Sequence, residues 1–306
     1  MTIRFDGKVA IVTGGGNGLG RQHCLQLAAR GAKVVVNDLG GAVDGSGGSV
    51  SAAEAVAKEI RDGGGEAIGN GADITRLDQV EAMVGEAKAK WGRVDILINN
   101  AGILRDKTFS KMTMDDFRKV VDVHLFGTAN CTKAVWETMR EQNYGRIVLT
   151  SSSSGIYGNF GQSNYGAAKA AMIGLMNVLS QEGAKNNIRV NTLAPTAATR
   201  MVEGLVPEPV AKLMGPELVS PGVLFLVSDD APTKTILGAG AGSFSVVHIY
   251  ETPAVFLGGE AATCDDVAAN WAKISNPAGE EALEGAFVQT NRFVAAAAKA
   301  LGVKLG

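Results

Sequence analysis

Short runs of β-branched residues alternate with longer stretches whose apolar residues recur at helical spacing, from Val9 to about Leu193. No other feature limits the available folds as much. A strand pattern over 9–13, a helical pattern over 21–30 and a second strand over 33–36 make a βαβ opening. The alternation continues with a helix over 52–62, a short strand near Ala67, a helix over 79–90 and the apolar strand 95–98. A helix around 115–139, the strand 146–150, a helix around 165–185 and the strand 188–193 follow. Neighbouring parallel strands are joined by crossovers, and the crossovers here are helices, so the strands form a mostly parallel sheet covered on both faces. The expected fold class is α/β, a doubly wound sheet over residues 1–242. Residues 243–306, which change to SFSVVHIYETPAVFL and end in an Ala-rich helix over 287–300, read as a C-terminal extension packed on the same domain.

Charge and cysteine content exclude several functions. With 29 basic and 31 acidic residues the formal net charge is −2, which leaves no electrostatic footprint for nucleic acid or an anionic membrane. Cys24, Cys131 and Cys264 are widely spaced and odd in number, with no Cys or His at metal-ligand spacing, so neither a disulfide framework nor a metal site is expected. The opening MTIRFDGK lacks the apolar stretch of a signal peptide, and no apolar run approaches the ~20 residues of a membrane span. A cytoplasmic protein in a reducing compartment is expected. Glycine, at 40 of 306 residues, is about twice as frequent as usual and calls for tight turns or close backbone approach to a ligand. The cluster GGAVDGSGG over 40–48 reads as a flexible surface connection rather than a second phosphate cradle. Residues 196–219, with Pro207, Pro209 and Pro216 among Met and Leu, read as a mobile, partly helical lid.

The segment TGGGNGLG, Thr13 to Gly20, lies where the first strand hands over to the first helix. Glycines there let the backbone approach a pyrophosphate whose charge meets the helix N-terminus. Gly14, Gly18 and Gly20 fit a TGxxxGxG spacing, with Asn17 and Leu19 in the same turn; a purely structural turn would use the same glycines. Asp38 lies 18 residues past Gly20, at the end of the second strand, where a carboxylate accepts both hydroxyls of an adenine ribose and repels a 2′-phosphate. No Arg or Lys stands in the turn or immediately after Asp38, so NAD is favoured over NADP; a solvated turn residue is the alternative reading of Asp38. Tyr165 and Lys169, four apart in NYGAAKAA, share one helix face. A phenol with a pKa of about 10 is a poor acid or base at neutral pH until an ammonium stabilises its phenolate, and Lys169 can supply that charge. Ser152 follows the strand 146–150, at the carboxyl end of the sheet where ligands bind in open α/β folds, and its hydroxyl can hold a substrate oxygen.

Together TGGGNGLG, the NNAG of 99–102, Ser152 thirteen residues before Tyr165, and Tyr-x-x-x-Lys resemble the short-chain dehydrogenase/reductases over about residues 5–242. The resemblance implies a Rossmann fold and a nicotinamide dinucleotide. It implies Tyr165 as general acid/base, Ser152 as the residue that orients the carbonyl or alcohol, and Lys169 as the one that binds the nicotinamide ribose while lowering the Tyr165 pKa. It also places Asn100, Ala101 and Gly102 beside the dinucleotide, Asp73 with the adjoining Ile74 at the adenine, and Pro195 and Thr199 toward the carboxamide. A helix cap is the alternative for Asp73. Family members carry Asn in a VNLxG-like stretch that completes a proton relay through water, whereas VHLFG here puts His124 in that place. The wider text, including VVVNDLGG, NNAGILRDKTF and SSSSGIYGNFGQSNYGAAK, resembles the dehydrogenase units of peroxisomal type 2 multifunctional enzymes. Those units also have His there, so a relay through His124 and one that bypasses it both stay open.

That subgroup oxidises (3R)-3-hydroxyacyl-CoA to 3-oxoacyl-CoA and, in some members, 17β-hydroxysteroids. The resemblance therefore implies an NAD-dependent dehydrogenase of fatty-acid or steroid side-chain β-oxidation, with a 17β-hydroxysteroid dehydrogenase as the alternative. An NADP-linked 3-oxoacyl reductase and a non-catalytic NAD-binding scaffold are further alternatives; Asp38 counts against the first, and the retained Tyr165 and Lys169 against the second. The length leaves no room for hydratase and sterol-carrier modules, and the end Lys304, Leu305, Gly306 is not a peroxisomal tail, so a free-standing bacterial-type enzyme is expected. Arg105 and Lys107 read as solvated loop residues, with CoA phosphates as the second option. Met201, Leu205, Val206 and Met214 read as lid packing or an apolar substrate wall. Relatives with this text pair the helices that begin near Asp115 and Tyr165, so a homodimer is expected.

Overall fold

The alternating sequence pattern folds into one sheet. In a computed structural model, which describes residues 2–199, 207–259 and 262–305, its strands are β1 (Val9–Thr13), β2 (Lys33–Asn37), β3 (Glu66–Asn70), β4 (Ile96–Asn99), β5 (Gly145–Thr150), β6 (Ile188–Thr196), β7 (Ile236–Gly240) and β8 (Ser243–Val247). Their order is β3-β2-β1-β4-β5-β6-β7-β8, and the pairings from β3 across to β7 are parallel. Every residue of β1 and β4 is buried, which is why both read as continuous apolar runs rather than alternating ones. Helices α1 (Gly18–Ala29), α2 (Ser51–Asp62), α3 (Leu77–Trp91), α4 (Met114–Val121), α5 (Gly127–Gln142), α6 (Ser153–Tyr157), α7 (Ser163–Glu182), α8 (Glu208–Leu213) and α9 (Ser220–Leu226) complete this layer arrangement. The sheet order reverses between β1 and β4, so a crevice opens where the turns after these two strands diverge.

Two expectations are corrected. The single helix around 115–139 is interrupted by a π-helical turn over Asp122–Phe126, which separates α4 from α5. The turn carries His124, 2% exposed, into the interior, and single π-helical turns of this kind inside α-helices are frequent at functional sites. Strands β7 and β8 escape a β-branched search because β7 reads ILGAG and β8 is an exposed edge. A two-residue turn joins them, with Ala241 and Gly242 at φ +49° and +72°, the backbone of a tight hairpin. Contacts group the chain into a first unit, Met1–Val246, and a second, Val247–Gly306.

The second unit, Val247–Gly306, holds β9 (Tyr250–Glu251) paired antiparallel with β10 (Glu281–Ala282), and the helices α10 (Cys264–Ala269), α11 (Trp271–Ile274) and α12 (Ala286–Leu301). Thr263 and Asp266 form a reciprocal cap at the start of α10. Among the described residues, no helix is long and apolar enough to cross a membrane, and no cluster of His, Cys, Asp and Glu is placed to hold a metal ion.

One buried group in the first unit gives the fold a pH dependence. His23 in α1 is fully buried, its Nδ1 lies 2.8 Å from the Ser220 hydroxyl of α9, and its Nε2 has no partner. Burial pushes its pKa down to about 3, while an unfolded chain titrates near about 6.5. A depressed folded-state pKa means stability that is fully present above about pH 6.5 and drains away as the pH falls toward about 3, at about 1.4 kcal/mol per pH unit. Burial shifts His124 in the same direction. The melting temperature is expected to drop between about pH 7 and pH 5, and His23→Gln to flatten that drop; a melting temperature indifferent to pH over this range refutes the account.

Candidate active site

The crevice between β1 and β4 is built by reciprocal hydrogen bonds between the turns that follow the two strands. Thr13, the last residue of β1, accepts at Oγ1 from the backbone N–H groups of Asn100 and Ala101, at 3.0 and 3.1 Å. Asn100 returns two bonds from Nδ2, to the Thr13 and Gly14 carbonyls at 3.0 and 3.1 Å. This clamp explains the glycines. Gly14 has φ +64°, and a Cβ there would lie 2.8 Å from Ala101 Cα; one on Gly20 would lie 2.1 Å from the Gly14 carbonyl oxygen. The turn is packed so closely that Gly14, Asn17, Gly18 and Leu19, which lead into α1, come directly to the crevice, the arrangement that receives a pyrophosphate at a helix N-terminus.

The crevice deepens into a cavity of about 780 Å³, within the range of small-molecule and cofactor sites. Gly14, Asn17, Gly18, Leu19, Asp38, Asp73, Ile74, Asn100, Ala101, Gly102, Tyr165, Lys169, Pro195, Thr199 and His124 all line it, so the structure brings these sequence candidates together. Ser152 is not a lining residue, but its hydroxyl is near enough to Tyr165 to lower the phenol's pKa. Asp38 spans the first turn: Oδ2 accepts from Gly16 N–H at 2.8 Å and Oδ1 from Gly40 N–H at 2.7 Å. Asp73 holds Thr75 through its N–H and hydroxyl, at 2.9 and 2.7 Å, and so caps a local turn while lining the cavity.

At the opposite end, Tyr165 and Lys169 project from α7. Lys169 is buried, donates from Nζ to the Thr150 carbonyl at 2.6 Å, and holds that ammonium 5.6 Å from the centre of the Tyr165 ring. Burial pulls the lysine down to about 7. Tyr165 moves the other way from the sequence-based expectation of a lowered phenol: burial raises it, and the nearby Ser152 hydroxyl offsets only part of that rise. Ser152 caps α6, accepting from Ser154 N–H at 3.1 Å.

His124 reaches this end through the π-helical turn. Its ring meets the Tyr165 ring edge-on, 5.2 Å between centres at 89°. Nε2 lies 2.8 Å from the Ile103 carbonyl oxygen and 3.1 Å from the Ile103 nitrogen, and Nδ1 is buried without a partner. Burial first, and then the charge of Lys169, keep the imidazole well below its ordinary pKa, so it is neutral. Arg105 and Lys107 do not present free cations: Arg105 bonds Asp44 and Asp116, and Lys107 lies 3.7 Å from Asp116. Of the lid residues, Met201, Leu205 and Val206 lie outside the described residues, while Met214 accepts at its carbonyl from Ala198 N–H.

The motif search assigns no role to four contributors. Thr13 clamps the two turns, and Thr150 gives its carbonyl to Lys169 while its buried hydroxyl has no partner. Ser151 ties α7 to β5 through the Lys169 carbonyl at 2.8 Å, and fully buried Asn164 donates to the Arg105 carbonyl at 3.0 Å. Each is a Ser, Thr or Asn next to a motif residue, a type and position too common to stand out.

The family model described as short chain dehydrogenase matches residues 8–209. The chain belongs to the short-chain dehydrogenase family. It is 45% identical over 277 residues to peroxisomal multifunctional enzyme A of Dictyostelium discoideum, a match covering 90% of this chain and 62% of that protein. The solved full-length peroxisomal multifunctional enzyme type 2 of Drosophila melanogaster is similar with a TM-score of 0.81 and 35% identity, over 98% of this chain and 51% of that one. A 7α-hydroxysteroid dehydrogenase solved with NADH and 7-oxo glycochenodeoxycholic acid matches with a TM-score of 0.70 and 31% identity, over 78% of this chain and 95% of that one. The chain thus spans about three fifths and half of the two multifunctional enzymes. As a member of this family it is an oxidoreductase that uses a nicotinamide dinucleotide on a small-molecule substrate. The site fits that cofactor: the glycine cradle admits no Cβ, and two buried polar atoms, Thr150 Oγ1 and His124 Nδ1, stand unpartnered in residues that line the cavity.

Proposed function

We propose that the protein is an NAD-dependent dehydrogenase that oxidises (3R)-3-hydroxyacyl-CoA to 3-oxoacyl-CoA, with Ser152, Tyr165 and Lys169 as its catalytic residues. The observation that carries the chemistry is the buried Lys169, whose Nζ lies 5.6 Å from the centre of the Tyr165 ring at the wall of the cavity, with the Ser152 hydroxyl close by. An alcohol oxygen held by the Ser152 hydroxyl and the Tyr165 phenolate would give its proton to the phenolate, leaving a neutral phenol, as the carbinol hydrogen departs as hydride. The bound nicotinamide supplies the hydride acceptor. Ser152, fixed as a helix cap, sets the direction of the alcohol, and the Lys169 ammonium favours the phenolate form.

Asp38 supports NAD over NADP. Its carboxylate is held in place by two backbone N–H groups, and the cationic lining residues, Lys119 and Lys169, belong neither to the Gly-rich turn nor to the loop after Asp38. The acyl-CoA substrate rests on likeness to the multifunctional enzymes, and a steroid alcohol is the second reading, favoured by the likeness to the hydroxysteroid dehydrogenase. The thiols of Cys24 and Cys131 are free and buried, in keeping with a reducing cytoplasm.

A fixed cofactor face and a fixed Ser152/Tyr165 pair leave one orientation for the carbinol carbon, because exchanging configuration would exchange the thioester and alkyl arms. Assay of both enantiomers with each cofactor is expected to show turnover of (3R)- and not (3S)-3-hydroxyacyl-CoA, with NAD strongly preferred. Preference for (3S), or rapid turnover of 17β-steroids alone, would falsify the acyl-CoA reading, and equal use of NADP would overturn the role of Asp38.

The raised phenol of Tyr165 places its proton-accepting form on the alkaline side, while Lys169, at about 7, loses its ammonium over the same range, so oxidation is expected to rise above neutrality by less than about tenfold per pH unit; a rate that falls steadily above about pH 7 contradicts this. Tyr165→Phe should leave NAD binding nearly intact and cut turnover by roughly 10²–10⁴-fold. Undiminished turnover in that variant removes Tyr165 from the mechanism.

A homodimer is proposed through α4, α5 and α7. Phe126, between α4 and α5, and Val178 on α7 are each more than half exposed, at 57% and 53%. Sedimentation at micromolar concentration should show the dimer; a monomer alone contradicts the assignment.

A further inference from the structure

The loop between β2 and α2 does not behave as a free connection. At its base Ser49 N–H donates to the Leu39 carbonyl at 2.7 Å, and Gly40 has φ +73° with no room for a Cβ against the Ser49 carbonyl. At its tip the Val43 carbonyl accepts from Leu104 N–H, and the Asp44 carbonyl from Arg105 Nε, both at 2.9 Å. Gly45 packs on Ile103, where an added Cβ would stand 3.2 Å from the side chain. Gly41, Ala42, Val43 and Gly45 line the same cavity as the Gly-rich turn.

Topology gives these contacts their meaning. In the sheet, β1 lies between β2 and β4. A loop that leaves β2 and fastens to the segment after β4 must cross the carboxyl end of β1, which is where the turn Gly14–Gly20 sits. We propose that residues 39–49 are a strap over the dinucleotide site and that Arg105 is its latch, so that release of the dinucleotide waits on the strap opening. The proposal rests on the nicotinamide-dinucleotide reading of the cavity.

Arg105 suits the role because one guanidinium serves two anchors. Nε holds the Asp44 carbonyl of the strap, and Nη1 holds Asp116 of α4 at 2.9 Å. Its own carbonyl accepts from Asn164, the residue before Tyr165, so the latch is fixed to the start of α7. A lysine at this position offers a single ammonium and cannot satisfy both anchors with the fork geometry of arginine.

Two measurements on the full chain test the latch. In stopped flow, NADH bound to the protein is displaced by excess NAD and its release followed by fluorescence. Arg105→Ala is expected to release NADH roughly tenfold faster, the effect of losing about one charge-assisted hydrogen bond, and Arg105→Lys to fall between it and the parent. Without nucleotide, hydrogen exchange at the Leu104 amide should be slow in the parent and faster in Arg105→Ala, with the melting temperature nearly unchanged. An unaltered release rate in Arg105→Ala, or a Leu104 amide that exchanges freely in the parent, overturns the latch. A parent that binds no NADH while its Leu104 amide stays protected overturns the dinucleotide reading, and the strap's role with it.

Discussion

The hydrogen-bonded clamp between Thr13 and Asn100 decides the geometry of the rest of the site. Two neighbouring parallel strands end at the same height, and their chains must then part to reach helices on different faces of the sheet. Four bonds at 3.0–3.1 Å hold the two turns together at the point of parting. The glycines follow from this closeness, because the strands' exits leave no volume for side chains. So does the position of Gly102, which faces the His124 imidazole so nearly that a Cβ would lie 2.2 Å from it. The clamp therefore places the dinucleotide turn on one side and, through Gly102, Ile103 and His124, the Tyr165 ring on the other.

Buried charge is arranged economically around that centre. Lys169 donates a hydrogen bond to a backbone carbonyl rather than to an acid, and no carboxylate opposes it among the described hydrogen bonds. Its ammonium is thus available to an incoming group instead of being consumed in an ion pair. The neutral His124 beside it adds bulk and a hydrogen bond without a competing positive charge.

Much of this was readable in the sequence because the constraints are local. Most strands from β1 to β6 announce themselves by β-branched runs, and the Tyr165–Lys169 spacing needs only the helical repeat. The Gly-rich turn comes as one contiguous motif for the same reason. What stayed hidden depends on contacts between distant segments. The strap is a glycine-rich stretch whose fixity comes from Leu104 and Arg105, some sixty residues away. The π-helical turn keeps helical composition and differs only in hydrogen-bond pitch. The fall of Lys169 and the rise of Tyr165 arise from burial, which no spacing encodes.

Two polar atoms in residues of the cavity wall, Thr150 Oγ1 and His124 Nδ1, are shut off from water and from any partner. A buried polar atom that makes no hydrogen bond costs about 1–3 kcal/mol, so the wall beneath the Tyr165 ring is a place where the fold gives up stability. Stabilising substitutions are therefore to be sought there, and a chain improved in that way would put at risk the wall that shapes the cavity.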